Sequence, residues 1–242
     1  MLTSARLTDE ALALSDRGAA IRQRLGNEPE GWAVSQGIRR ARILSLRGEP
    51  SQAFDAAMSA AERAGDKRRQ QRAEAWLAAA FNARMQLKTS DAIEFAQQAQ
   101  SDSEAKTFRL VVQAGTATEL GNAWLDKGDV AQAERALLQA RELYERGQIQ
   151  PTTVMADCTV GLARTHLLAG RATEAEALLV PLVRAWEELN PNSEWHGEAL
   201  YWLSRAQAAA GKTAEARADR KAALSMLQKS KLPALMRLAT LN

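Results

Sequence analysis

The sequence predicts an all-α protein, an α-α superhelix of stacked helix pairs. Three observations predict it: a composition weighted toward helix formers, five short corners at nearly even spacing, and a small-residue skeleton that recurs around each corner. Alanine, leucine, glutamate, glutamine and arginine dominate, while the β-branched and aromatic residues that strands favour are sparse. The 46% apolar and 25% charged content is that of a foldable chain and argues against disorder.

Four corners read Gly, four mostly polar residues, Ala. They begin at Gly48, Gly128, Gly170 and Gly211 and reach Ala53, Ala133, Ala175 and Ala216. A fifth, Leu87 to Ala92, has leucine in the glycine position. The intervals are 87−48=39, 128−87=41, 170−128=42 and 211−170=41. At each corner glycine closes one helix in a left-handed conformation and a polar residue opens the next. Asp129 with Gln132, and Thr173 with Glu176, read as capping boxes. The unit is therefore a helix pair, and 1–242 is expected to be one domain of about five such pairs. The first helices are expected near 32–46, 68–86, 107–126, 151–168 and 194–209. The second helices are expected near 51–64, 90–101, 129–146, 173–189 and 213–229. The pairs thus span about 32–64, 68–101, 107–146, 151–189 and 194–229.

The residues inside each unit resemble the tetratricopeptide repeat (TPR), with its W-x2-L-G-x2-Y pattern in the first helix and A-x3-F in the second. The closest copy is Ala117, Leu120, Gly121 and Trp124, followed by Ala133 and Leu137. Looser copies centre on Trp76, Ala79, Ala80 and Ala83 with Ala92, and on Leu162, Ala163 and His166 with Ala175 and Leu179. Small residues let paired helix backbones approach closely. The period exceeds the usual 34 residues by about seven, or two helical turns, so the chain looks like a long-helix, TPR-like solenoid. Such variants are similar to repeat regions of bacterial regulatory and signalling proteins.

Before the first corner, Thr8 to Leu25 with Leu7, Leu12, Leu14, Ala19, Ile21 and Leu25 reads as a leading second helix without a first. Matching Ala11 to Ala53 puts its missing turn at Arg6. Such a helix bares an apolar face, so the expectation is a fragment or domain of a longer protein, or a homodimer through the N-terminal helix. Lys231-Leu232-Pro233 ends the last helix, and Ala234 to Leu241 form a short C-terminal cap. Pro181, inside the second helix of the fourth pair, is expected to kink it near Ala177.

Catalysis needs a nucleophile, an acid or base, and an orienting group. Cys158 and His166 lie eight residues apart on one helix, about 12 Å, too far for a hydrogen bond. Cys158 reads as a small core residue and His166 as a packed ring. His196 beside Trp195 and Glu194 has no second histidine within a turn, so no metal site is expected. One cysteine allows no internal disulfide, and with two histidines it makes no structural zinc site. Gly211-Lys212-Thr213 copies the end of a Walker motif, but Ala206 stands at the position of that motif's first glycine and no strand precedes it. The chain is expected to be no enzyme and to carry no cofactor. The net charge of +3 is scattered over the length, unlike the clustered basic stripe of a nucleic-acid binder. No stretch reaches the roughly 18 to 20 apolar residues of a membrane span and no signal peptide is evident, so a cytoplasmic location is expected. Of the six tryptophans, Trp76 and Trp124 are expected in the core. Trp195 and Trp202, seven residues apart, suit either core or a ligand surface.

In the TPR resemblance the first helices line the concave groove, and peptide-binding members read ligands mainly through positions 2, 5, 9, 12 and 13. With the corner glycine at position 15, position 9 is Arg42, Phe81, Asn122, Arg164 and Arg205. Position 12 adds Arg84 in the second unit, and position 5 adds Tyr201 in the last. These would form a spaced ladder of guanidinium and amide groups suited to carboxylates and extended backbone. Pairing of the arginines with Glu74, Asp126, Asp157 and Glu198 is the competing arrangement. The leading expectation is a protein–protein interaction scaffold that holds a peptide or protein segment, preferably acidic, in the groove. The alternatives are a sensor domain that binds a small molecule or signalling peptide among Trp195, Tyr201 and Trp202 to control an attached effector, and a homo-oligomerisation scaffold.

Overall fold

A computed structural model describes residues 2–26, 29–104, 109–149 and 155–241, with side chains from Thr8 onward. Among these residues every regular element is helical. In chain order they are α1 (Leu2–Arg24), α2 (Glu30–Leu46), α3 (Pro50–Ala64), a 3₁₀ turn (Asp66–Arg68), α4 (Arg69–Met85) and α5 (Thr89–Ser103). There follow α6 (Leu110–Lys127), α7 (Val130–Arg146), α8 (Ala156–Leu168), α9 (Ala172–Leu189), α10 (Glu194–Ala209), α11 (Thr213–Leu227) and α12 (Pro233–Leu238). The expected helices match within a few residues. The starts expected at 107 and 151 lie outside the described residues. No described helix is long and apolar enough to cross a membrane.

The five corners share one mechanism. Gly48, Gly128, Gly170 and Gly211 take φ between 72° and 89°, and Leu87 takes 63°. At each, the following residue's N–H reaches back to a carbonyl five residues earlier: Glu49 to Leu44, Lys88 to Ala83, Asp129 to Trp124, Arg171 to His166 and Lys212 to Gln207, all at 2.8–3.0 Å. This is the Schellman closure. The same residue then starts the next helix, its carbonyl accepting from the alanine N–H four residues on at 3.0–3.1 Å. One residue thus ends one helix and opens the next, which fixes the distance from glycine to alanine. Asp129 Oδ1 also caps Gln132 N at 3.0 Å, as expected. Thr173 does not cap, because α9 starts a residue earlier, after Arg171. Glu176 instead receives Lys212 Nζ at 2.7 and 2.9 Å. A sixth Schellman closure, from Ile149 N to Tyr144 O, ends α7 with Gln148 at φ 48° in the left-handed position, one residue after Gly147.

The chain divides into two compact units, 1–116 and 117–242. In the first, α2 and α3 meet through Gly37, where a Cβ would come within 2.9 Å of the Ala60 Cβ. Trp76 stacks on Phe95 with centroids 5.4 Å apart. Asp102, its side chain only 7% exposed, receives Arg72 through Nε and Nη2, each at 2.7 Å, and Arg69 at 3.4 Å, tying α5 to α4. The leading helix, expected from Thr8, already begins at Leu2 and runs through Arg6, the position of the missing turn, with no glycine or proline to break it before Gly18.

The second unit centres on Leu137 of α7, which is wholly buried. A Cβ on Gly121 of α6 would lie 2.5 Å from Leu137 Cγ, and one on Gly161 of α8 would lie 2.8 Å from its Cδ2. Two bare backbones therefore close on one leucine. Farther along, Leu179 and Leu182 of α9 pack against Ala163 of α8 and Ala199, Leu203 and Ala206 of α10. α9 runs unbroken across Pro181, whose ring faces solvent.

Candidate functional site

In the second unit the first helices α6, α8 and α10 present a common face bearing an open cleft of about 510 Å³. Its lining is Leu125 from α6; Arg164, Leu167 and Leu168 from α8; and Trp202, Arg205, Ala208 and Ala209 from α10. The corner count explains the gathering. Residues nine, twelve and thirteen of a unit point the same way on its first helix. Arg164 and Arg205 are ninth, Leu125, Leu167 and Ala208 twelfth, and Leu168 and Ala209 thirteenth. Leu168 is 64% exposed and Leu125 buried, so the cleft grades from a closed apolar base to a solvated rim.

The two arginines differ in state. Arg164 Nη2 donates to Asp126 Oδ1 at 2.7 Å, and its guanidinium lies 5.0 Å from the Trp202 ring centroid. It is neutralised and locked, and it serves as wall. Arg205 is exposed and has no carboxylate partner among the described residues. It donates only a long 3.5 Å bond to Tyr201 Oη. Trp202 packs edge-on against Tyr201 at 5.2 Å, and its buried indole Nε1 has no acceptor among the described residues. The cleft can therefore hold an apolar side chain against Trp202 and the leucines, and offer a guanidinium to an anion at its edge.

The other expected groove residues lie as follows. Tyr201 is 0% exposed and supports Trp202 and Arg205 from behind. Asn122 is buried because Gly161 of α8 lets the neighbouring helix lie directly upon it; its Nδ2 donates to Asp157 O at 3.2 Å. In the first unit Arg84 is buried with its guanidinium 5.6 Å from the half-buried Phe81 ring. Arg42 donates to Glu74 at 3.3 Å, and Glu74 also receives Arg109 at 3.2 Å. Ion pairing thus accounts for Arg42 and Arg164, while Arg205 stands outside it. Trp195 does not line the cleft, so the three-ring pocket of the sensor arrangement is not formed by this cleft. The apolar members Leu125, Leu167, Leu168, Ala208 and Ala209 escaped a sequence reading that sought charge and aromaticity, although the same positional count marks them.

The reactive side chains sit in packing roles. Burial pushes the Cys158 thiol up to about 12, and its Sγ lies 3.5 Å from Leu137 O. Burial, helped by the Arg171 charge, lowers the His166 pKa from its ordinary value. His196 Nδ1 lies 2.7 Å from Pro191 O. Gly211 is a helix-ending residue after α10, and Lys212 is engaged by Glu176. Among the described residues no three His, Cys, Asp or Glu side chains converge to hold a metal.

No protein-family model matches the chain, and no curated protein does. Solved structures match across most of its length. BtubC (BKLC) from P. vanneervenii superposes with a TM-score of 0.62 at 16% identity, over 93% of this chain and 89% of that one. Two crystal structures of a putative kinesin light chain from Podosopora anserina, with nearly identical TPR-like repeats, give TM-scores of 0.56 and 0.54. Both are 20% identical, covering 82% and 81% of this chain and 96% and 95% of theirs. The chain has the fold of the TPR-like helical-repeat proteins.

Proposed function

We propose that this chain is a protein-interaction scaffold whose second unit holds a segment of a partner protein on the face of α6, α8 and α10. The observation that carries the reading is the cleft itself: an open apolar trough walled by Trp202 and three leucines, with the carboxylate-free guanidinium of Arg205 at its edge. A trough of this kind suits a segment with a bulky apolar side chain and an acidic neighbour. Apolar contact supplies most of the affinity, and the charge supplies specificity and rate. The TPR-like fold supports such a role, since stacked helix pairs offer extended concave surfaces to partners. No reaction step is assigned to any residue.

The test is selection from a displayed random-peptide library, followed by fluorescence anisotropy of the enriched peptides. Enriched sequences should pair an aromatic or aliphatic residue with Asp or Glu. Arg205→Glu should weaken their binding about tenfold or more, as loss and reversal of a charged hydrogen bond implies, and Trp202→Ala should weaken it further. Peptides that bind both variants as tightly as the parent would refute the cleft as the site.

A further inference from the structure

The N-terminal helix turns its large apolar residues away from its own repeat. Leu14, Ile21 and Leu25 are 67%, 58% and 72% exposed. Their spacings of seven and four place them along one side of α1. The half-buried residues of α1 include Ala11, Leu12, Ser15, Gly18 and Ala19, which are mostly small. Its attachment to α2 is largely polar. Ser15 Oγ donates to Gln36 Oε1 at 3.2 Å, Asp16 pairs with Arg40, Asp9 takes Arg47 at 3.3 Å, and Arg22 lies over the Trp32 ring. These contacts fix the rotation of α1 about its axis, and so hold the leucine and isoleucine stripe toward solvent.

We propose that this stripe pairs with the same stripe of a second copy of the chain, the two α1 helices running antiparallel about a two-fold axis. Charge placement favours that occupant and that direction. Beside the stripe on its outer edge lie Glu10, Arg17 and Arg24, each exposed. Antiparallel pairing sets Glu10 of each copy opposite Arg24 of the other, at both ends of the seam. Parallel pairing would instead leave the Glu10 to Arg24 edges of the two copies on opposite sides of the seam, where they could not neutralise each other. A self-complementary patch of this kind is what a two-fold interface requires. Among the described residues on that edge, Arg17, midway between the two, meets its own copy near the axis as an approach of like charges.

Light scattering of the full chain over a concentration series tests the pairing. The expected result is a mass rising to twice 26.4 kDa, and the double variant Leu14→Glu/Ile21→Glu should remain at the monomer mass with unchanged helicity. Because both positions are exposed, these substitutions leave the fold intact. A parent chain monomeric throughout, or a double variant that still dimerises, overturns the proposal. Direction is read by cross-linking, since the natural Cys158 is buried and silent. Arg17→Cys should form an intermolecular disulfide on mild oxidation. Arg24→Cys should not, because its two copies would lie about 21 Å apart at 1.5 Å per residue, well beyond disulfide reach. Equal cross-linking of Arg24→Cys would overturn the antiparallel arrangement.

Discussion

Replacing Gly121 by alanine sets two known effects against each other. Alanine in a helix interior is favoured over glycine by up to about 1 kcal/mol. The new methyl would lie 2.5 Å from Leu137 Cγ, 3.0 Å from its Cδ2 and 3.2 Å from Ala133 O, where carbon contacts prefer about 3.5–4.0 Å. Leu137 cannot retreat, because the backbone of Gly161 closes its other side. Relief must come from moving α7 off α6, and overpacking of that kind costs about 1–3 kcal/mol. The overlap of at least an ångström places the cost at the upper end, so a net loss of about 2 kcal/mol is expected. Urea unfolding followed by far-UV circular dichroism measures it. Leu137→Ala alone should cost about 2–5 kcal/mol, and in that background Gly121→Ala should become neutral or stabilising, since the two leucine atoms are gone and only the 3.2 Å approach to Ala133 O remains. A stabilising Gly121→Ala in the parent, or an equal loss in both backgrounds, would refute the view that this glycine serves close approach.

Leu87 holds a left-handed conformation that four other corners give to glycine, so Leu87→Gly should stabilise the chain by about 0.5 kcal/mol after the entropy cost of glycine is deducted, seen as a higher urea midpoint. Gly128→Ala, with open space around its Cβ, should lose about 1 kcal/mol from backbone strain alone. Asp102→Ala removes the carboxylate that Arg72 and Arg69 share, but Arg72 keeps Asp66 and the exposed Arg69 keeps Ser101 O, so the loss in the same unfolding assay should be about 1–3 kcal/mol. The Cys158 thiol, raised by burial to about 12, should react with a thiol reagent at neutral pH only as fast as the chain unfolds. Its raised value favours the folded state fully below the unfolded thiol pKa, near 8.5, and that contribution should fade as pH climbs toward 12. A Cys158→Ala variant should lose less stability over that range than the parent.

Much of this architecture is determined by sequence alone. The corners are readable because their chemistry is local: a left-handed residue, a Schellman closure and an opening carbonyl all fall within about ten residues, so glycine and alanine spacing fixes both register and helix bounds. The pairing of Gly121 with Leu137 is legible for a similar reason, as a small residue facing a large one across a single corner. What only the tertiary structure decided concerns residues whose surroundings lie a whole repeat away. Asn122 and Arg205 hold the same place in their units, yet one is covered and one is open, because Gly161 admits the next helix onto Asn122. Arg164 is quenched by Asp126, 38 positions distant, and Tyr201 is sealed behind Trp202. The rotation of α1, which leaves its leucines facing water, is likewise set by α2 residues that no local pattern reveals. Propensity and capping act along the chain, whereas burial and charge pairing act across it, and the candidate cleft depends on the second kind.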